Sequence, residues 1–502
     1  MPSNKKVFFK GISFGYLYIS VYLLTGIFTT PMLLNHFGAD YFALLMLVYG
    51  IITYLNNIRF GLPESLAVLL AKSKNTIYNI NLVKKNFYIL ASIVLLVCVI
   101  FFLTNNFVSD WRILLGDVYA LNKEEVINVF FILIIFALIK IPFELSLSVF
   151  IGFHEVFLEK LYKIFNLLVN FSLVVFVVYN NENIIFFVIS AGILDLMVSL
   201  VAFSHMLLRY KIFKIKTSSQ NIVSKELMKN ALLFFQLSIT QTVIWGAGIL
   251  IVSHLLSLED VTVYSLTMKI YIYLFYAFII VNSVIAPLYG KYYSEDSWEA
   301  IKKVFDLMIL LFPFLGGIIW IGTLFFMSDV IYLWTGSKEF FIGNTFIFFM
   351  GFFFYFTGYV SSYVTLLYSI GEVKSIIHLR WIELIVNFII SIIATYFIGL
   401  VGIALGMVFP IALISTRYLP KYISEKTNNK IILDFSIQKK HFLIIILPSI
   451  VVAYIVIFFI NFLMIKLVIF IVICFLYTFL SWNLLASKDK VYIISLLKRR
   501  RA

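Results

Sequence analysis

Charge is scarce in this 502-residue chain: Asp, Glu, Lys and Arg together make up 13%, against 62% hydrophobic residues. A soluble domain carries about 25% charged residues, so a water-soluble globule is excluded and a chain that crosses a membrane many times remains. Cysteine is nearly absent. The two present, Cys98 and Cys474, sit in apolar runs without CxxC or Cys/His spacing, which excludes a disulfide framework and a cysteine-based metal centre. No glycine-rich nucleotide loop occurs, so no cofactor is implied, and any driving force is an ion gradient, the membrane potential or the substrate's own gradient. Large extramembrane loops are missing too. The longest outer segment, 109–125, has four acids and no histidine, and Glu295-Asp296 is a lone acidic pair. A membrane-embedded polymerase, ligase or glycosyltransferase therefore lacks its usual equipment, and the chain reads as a non-enzyme.

What is present is a series of apolar runs. They predict an all-α polytopic membrane protein of about fourteen spans: 11–34, 41–70, 87–108, 126–152, 161–179, 184–208, 230–256, 258–293, 304–327, 340–368, 378–397, 401–417, 441–462 and 467–485. The first follows Lys5, Lys6 and Lys10, is too long for a signal-peptide core and has no small-residue cleavage site, so it is read as a retained helix. An even number of spans puts both termini on one side. With that side inside, 32 of the 39 Lys and Arg fall on inner segments, while only Arg112, Lys123, Lys338 and Lys466 are outside. This asymmetry places both termini in the cytoplasm. The formal net charge of +14 is then an inner fringe facing anionic lipid, and no nucleic-acid partner is implied.

The basic stretches mark the boundaries: residues 1–229 form a first lobe of six spans, 230–440 a second lobe of six, and 441–502 two further helices with a basic tail. The opening hairpins of the two lobes share a rough plan, Pro63 and Pro287 falling at corresponding places.

Charged residues inside spans need partners, a polar cavity or an anionic ligand, because a cation at mid-bilayer costs at least about 2.5–3.5 kcal/mol. Arg59, Lys140 and Lys269 are such cations. Lys140 and Glu144, four apart, read as an ion pair on one helix face. Asp195 has no basic residue within a turn, so it is either an ion-coupling carboxylate, with Glu144 as a second, or a hydrogen-bond partner of a Ser or Thr on another helix. Lys269 and Arg59 either snorkel, pair, or face a cavity. Two polar stripes accompany them: Ser13, Tyr16 and Ser20 in the first span, and Gln236, Thr240 and Gln241 in the seventh. Such stripes line a sugar-accommodating cavity or glue helices together. No residue set suggests a metal.

Four runs, FIGFHEVFLEKLYKIFNLL at 150–168, VTVYSLTMK at 261–269, PLYGKYY at 287–293 and YLWTG at 332–336, lie in order on the fourteen-span plan. On these the whole chain resembles bacterial polysaccharide flippases of the Wzx type, such as O-antigen flippases. Those belong to the multidrug/oligosaccharidyl-lipid/polysaccharide exporter superfamily, with drug extruders and lipid II flippases. The resemblance implies two six-helix lobes around a cavity lined by spans 1, 2, 7 and 8. It also implies alternating access at the bacterial inner membrane, and an undecaprenyl-pyrophosphate-linked oligosaccharide repeat unit as cargo for surface polysaccharide. On that plan Arg59, Lys269 and Lys140 meet the pyrophosphate, and a polymerase and a chain-length regulator are partners. Export of drugs or small solutes by an ion-coupled carrier is the alternative within the same plan.

The orientation is testable. Alkaline phosphatase, which needs an oxidising compartment to form its disulfides, is expected to be active when fused after Lys338 and inactive when fused after Asn429; the reverse pattern overturns the topology.

Overall fold

A computed structural model describes residues 4–484 except 74, 105–107, 109, 117, 119–120, 213–224, 433–441 and 460–462. Most of the expected basic loop before the second lobe, part of the loop before span 13, and the basic tail lie outside the described residues.

Among the described residues there is no strand, and twelve helical segments are long and apolar enough to cross a membrane. The protein is an all-α, multi-pass membrane protein. The first segment, Ser13–Arg59, has 47 residues. At 1.5 Å per residue that is about 70 Å, more than twice the thickness of the hydrocarbon core, roughly 30 Å. The excess is resolved at Gly38, where φ 81 and ψ 169 break α1 (Asn4–Leu55) into the two expected spans. Expected span 13 is described as a π-helical turn, Phe442–Ile446, running into a helix, Leu447–Phe459.

Two expected spans are broken where the sequence reading made them continuous. Span 2 stops at a 3₁₀ turn, Asn56–Arg59, passes through Phe60 (φ 48) and Gly61 (φ 67), and resumes as α2 (Leu62–Lys72) with Pro63 in its first turn. A proline has no N–H to continue a helix and suits a first turn. Gly61 is fixed twice over: its φ is left-handed, and a Cβ there would lie 2.3 Å from the Ala231 carbonyl oxygen. Span 4 breaks likewise into α4 (Lys123–Lys140) and α5 (Leu145–Gly152). Pro142 cannot donate to Leu138, whose carbonyl is taken by Ile141 N at 3.2 Å, while Lys140 O accepts from Phe143 and Glu144 at 3.0 and 3.1 Å.

The remaining helices of the first half are α3 (Thr76–Thr104), α6 (Val156–Asn180), α7 (Ile184–Arg209) and α8 (Lys225–Leu255). The second half has α9 (Leu258–Ser294), α10 (Trp298–Thr335), α11 (Asn344–Ser369), α12 (Val373–Ile398) and α13 (Val401–Pro410). Following a π-helical turn come α14 (Thr416–Lys426), α15 (Leu447–Phe459) and α16 (Leu463–Leu484).

The chain separates into two compact units, Met1–Ser265 and Leu266–Ala502. In the first, the apolar faces of α2 (Leu62, Leu66, Leu69) and α5 (Val149, Phe150) share a core with Leu82 and Leu90 of α3 and Leu227 and Ala231 of α8. Ser65 Oγ also donates to Leu227 O at 2.8 Å, which seats α8 on α2.

In the second unit, α10 and α11 pack closely enough that a Cβ on Gly358 would fall 2.6 Å from Phe312 O. Trp320, wholly buried, lies 4.2 Å from the Phe352 ring. Helix α16 is held to α10 by Tyr477, whose hydroxyl donates to Phe314 O at 3.3 Å, and by Lys466, whose Nζ lies 3.0 Å from Asp329 Oδ2. The sequence reading put Lys466 on an outer turn. The helix begins earlier than the apolar run does, and Lys466 is buried within it.

Gly61→Val is expected to cost about 1–3 kcal/mol from backbone strain plus its collision with α8. Gly38→Val meets nothing within 4 Å and carries the strain alone. Thermal unfolding in detergent should rank Gly61→Val clearly below Gly38→Val; equal losses refute the close approach.

Candidate functional site

The two helix breaks of the first unit meet. Arg59, at the end of its 3₁₀ turn, points Nη1 at Glu144 Oε2 (3.4 Å), and Glu144 sits at the break between α4 and α5. The other Glu144 oxygen faces Lys140 Nζ at 3.5 Å, which also lies 3.5 Å from Asp195 Oδ2 on α7. Asp195 receives a second donor, Asn170 Nδ2 of α6, at 2.8 Å. Two cations and two carboxylates thus alternate in one chain, each partly buried. The i,i+4 pair read from sequence is present. The basic neighbour that Asp195 lacks on its own helix comes from α4.

These ion-pair distances exceed the 2.7–2.9 Å of tight charge-assisted hydrogen bonds, so Glu144 keeps accepting capacity. It also borders a pocket of about 220 Å³ between α1, α5, α6 and α7, lined by Tyr18, Ser146, Tyr162, Lys163, Asn166 and Ser199 with Leu147, Leu167, Val198 and Ala202. Lys163 Nζ is 2.6 Å from Glu159, a carboxylate that is almost wholly buried and also 3.1 Å from Lys160 Nζ. Lys160 and Lys163 stand 5.2 and 5.9 Å from the Tyr18 ring.

Glu159, Lys163, Asn166 and Asn170 form one face of α6, spaced 4, 3 and 4. The sequence reading missed this face. It was legible as a polar stripe at helical spacing, but the apolar run begins only after Glu159 and Lys160, so those residues read as loop.

The other expected residues are distributed as follows. Ser13, Tyr16 and Ser20 are exposed along α1. On α8, Gln241 is exposed, Gln236 is half-buried, and Thr240 is buried with its hydroxyl turned back onto Gln236 O (2.8 Å) and Leu237 O (3.0 Å). The polar link from α8 to the break at Arg59 runs through residues that were not singled out: Ser238 Oγ donates to Asn57 Oδ1 at 2.6 Å, and Asn57 Nδ2 donates to Thr242 at 3.1 Å.

Lys269 lies in the second unit, half-buried, and has no hydrogen-bond or ion-pair partner among the described residues. Among the described residues no cluster of His, Cys, Asp and Glu could hold a metal ion. In the segment expected on the outer side, Asp110 is bonded to Arg112 at 2.6 Å, which holds its carboxyl down at about 2, and Glu125 is bonded to Tyr41.

No family model matches the chain. A curated relative from Salmonella typhimurium strain LT2, named "Putative O-antigen transporter", is 21% identical over 232 residues, 43% of this chain and 50% of the relative. The chain thus spans about half the length of the curated relative it matches. Among solved structures, the lipid II flippase MurJ in an inward closed conformation superposes with a TM-score of 0.69 at 15% identity, covering 93% of this chain and 99% of that one. An inward-facing multidrug resistance MATE family transporter of the MOP superfamily gives 0.66 at 14% identity, covering 81% and 95%. These likenesses show a shared fold, the one implied by the sequence resemblance.

A double-mutant cycle tests the network. Lys140→Met and Asp195→Asn should each lower the unfolding temperature. The double variant should lose less than their sum, by a coupling of about 1 kcal/mol or more. Strict additivity would dissolve the pair.

Proposed function

We propose that this chain, which has the fold of the multidrug/oligosaccharidyl-lipid/polysaccharide exporters, flips an undecaprenyl-pyrophosphate-linked oligosaccharide across the bacterial inner membrane for surface polysaccharide assembly. The observation that carries the reading is the unequal state of the three cations expected within spans, Arg59, Lys140 and Lys269. Arg59 and Lys140 are answered by Glu144 and Asp195. Lys269 is not answered among the described residues. An unanswered ammonium in a span calls for a polar cavity or an anionic ligand, and a pyrophosphate brings two phosphates. The same ammonium repels a cationic drug, which disfavours drug export.

On this reading Lys269 is the primary phosphate contact. Arg59, whose planar fork suits phosphate oxygens, is a second candidate contact, with Nη1 on Glu144 and Nε on Asn56 O. Asp195 and Glu144 are the carboxylates through which an ion gradient would act. The exposed Ser13, Tyr16, Ser20 and Gln241 offer hydroxyl and amide groups to a glycan. Lobes at 1–229 and 230–440, with 441–502 appended, cytoplasmic termini, and work beside a polymerase and chain-length regulator complete the proposal. Alternating access, rather than covalent chemistry, does the work, and the outer-segment acids Asp110 and Glu125 are engaged in ion-pair and hydrogen-bond contacts.

Deleting the gene should leave lipid-linked repeat units on the inner leaflet and remove surface polysaccharide. Complementation with Lys269→Ala should lower surface polysaccharide at least about tenfold at unchanged protein level, and Lys269→Arg should restore much of it. Normal polysaccharide with Lys269→Ala removes the phosphate role; repeat units that reach the outer leaflet in the deletion strain remove the flippase assignment.

A further inference from the structure

The pocket of the first unit has an unbalanced hydrogen-bond inventory. Tyr162's hydroxyl is engaged by His205 Nδ1 at 2.8 Å, Lys163 by Glu159, and Ser199 Oγ donates to Asp195 O at 2.9 Å. The Asn166 amide oxygen is buried and has no partner among the described residues. Glu144 is met only at 3.4 and 3.5 Å. What remains open is acceptor capacity on Asn166 and Glu144, beside two groups of the lining that can donate, the Tyr18 hydroxyl and the Asn166 amide nitrogen. A buried acceptor left unmatched costs about 1–3 kcal/mol, so the pocket favours an occupant that donates.

That requirement selects the chemical class. A phosphate or carboxylate has only acceptors and would set its charge against Glu144. An alkyl chain leaves Asn166 unmatched. A neutral ring carrying several hydroxyls donates to both groups and still presents C–H faces to Leu147 and Val198. The volume of about 220 Å³ equals roughly seven waters' share of liquid at about 30 Å³ each, the scale of one sugar ring.

We propose that this pocket seats a single pyranose ring of the transported glycan, with Asn166 and Glu144 accepting from its hydroxyls. The proposal rests on the flippase reading and assigns the sugar ring a site within the first unit. Because Glu144 also bonds Arg59 and Lys140, an occupied pocket feels the ion-pair chain directly.

The test uses the full-length protein in lipid nanodiscs and two probes. Saturation-transfer NMR is run with D-glucose, D-galactose, D-mannose, L-rhamnose and N-acetyl-D-glucosamine, and binding of undecaprenyl pyrophosphate is measured separately. At least one pyranose should bind saturably to the wild type, and about tenfold more weakly to Asn166→Leu. Val198→Phe, which fills the pocket without touching a polar group, should abolish sugar binding even if Asn166→Leu is poorly folded. Both variants should bind undecaprenyl pyrophosphate as the wild type does. A wild type that binds the carrier lipid and no pyranose, or variants that bind the sugar normally, overturn the pocket assignment alone. A wild type that binds neither probe removes the flippase reading as well.

Discussion

A charge that leaves water must be met by another charge, and the first unit is built around one such settlement. Arg59, the Lys140–Glu144 pair and Asp195 come from three different stretches of chain, and removing either member of the Lys140–Glu144 pair takes the ion-pair partner from one end of the series. The helix breaks put them there. The left-handed turn at Phe60-Gly61 and the proline at 142 bring a guanidinium and a carboxylate to the same place. Breaks at membrane depth expose carbonyls and amides that lipid cannot satisfy, so they persist only where protein or a wet cavity covers them. Asn57, bonded to Ser238 and Thr242, supplies part of that cover.

Neutralisation inside the first unit contrasts with Lys269 in the second. The alternating chain is balanced, holds its helices together and has no net attraction for a distant anion. The Lys269 ammonium has such an attraction and makes no hydrogen bond or ion pair among the described residues. On the proposed function, one chain contains both ways of keeping charge in a membrane, internal pairing and pairing deferred to a ligand. The acceptor-rich pocket beside Glu144 adds a third kind of polarity, neutral and directional.

Much of this was legible in the sequence. Hydropathy gives the all-α membrane class, and the run lengths anticipate the twelve segments that are long and apolar enough to cross a membrane among the described residues, the first of them divided at Gly38. The Lys140–Glu144 pair followed from spacing within one helix. The partnerships of Arg59 with Glu144 and of Asp195 with Lys140 and Asn170 did not, since they join helices and no periodicity reports which faces meet. The break at Gly61 was hidden for a related reason. Pro63 and Gly61 are visible, but membrane helices tolerate both residues, and only the crossing of α8 makes the interruption necessary. Glu159 was overlooked because hydropathy starts a span where charge ends, whereas the helix starts at Val156.

The ion pair between Asp329 and Lys466 joins residues 137 positions apart. A chain made from its N-terminus inserts α10 well before α16 exists. During that interval the aspartate has no counter-charge from its eventual partner and must wait in water or in the insertion machinery. The second unit therefore closes only when nearly the last helix arrives. A chain that stopped after α14 would hold Asp329 without the counter-charge that Lys466 supplies.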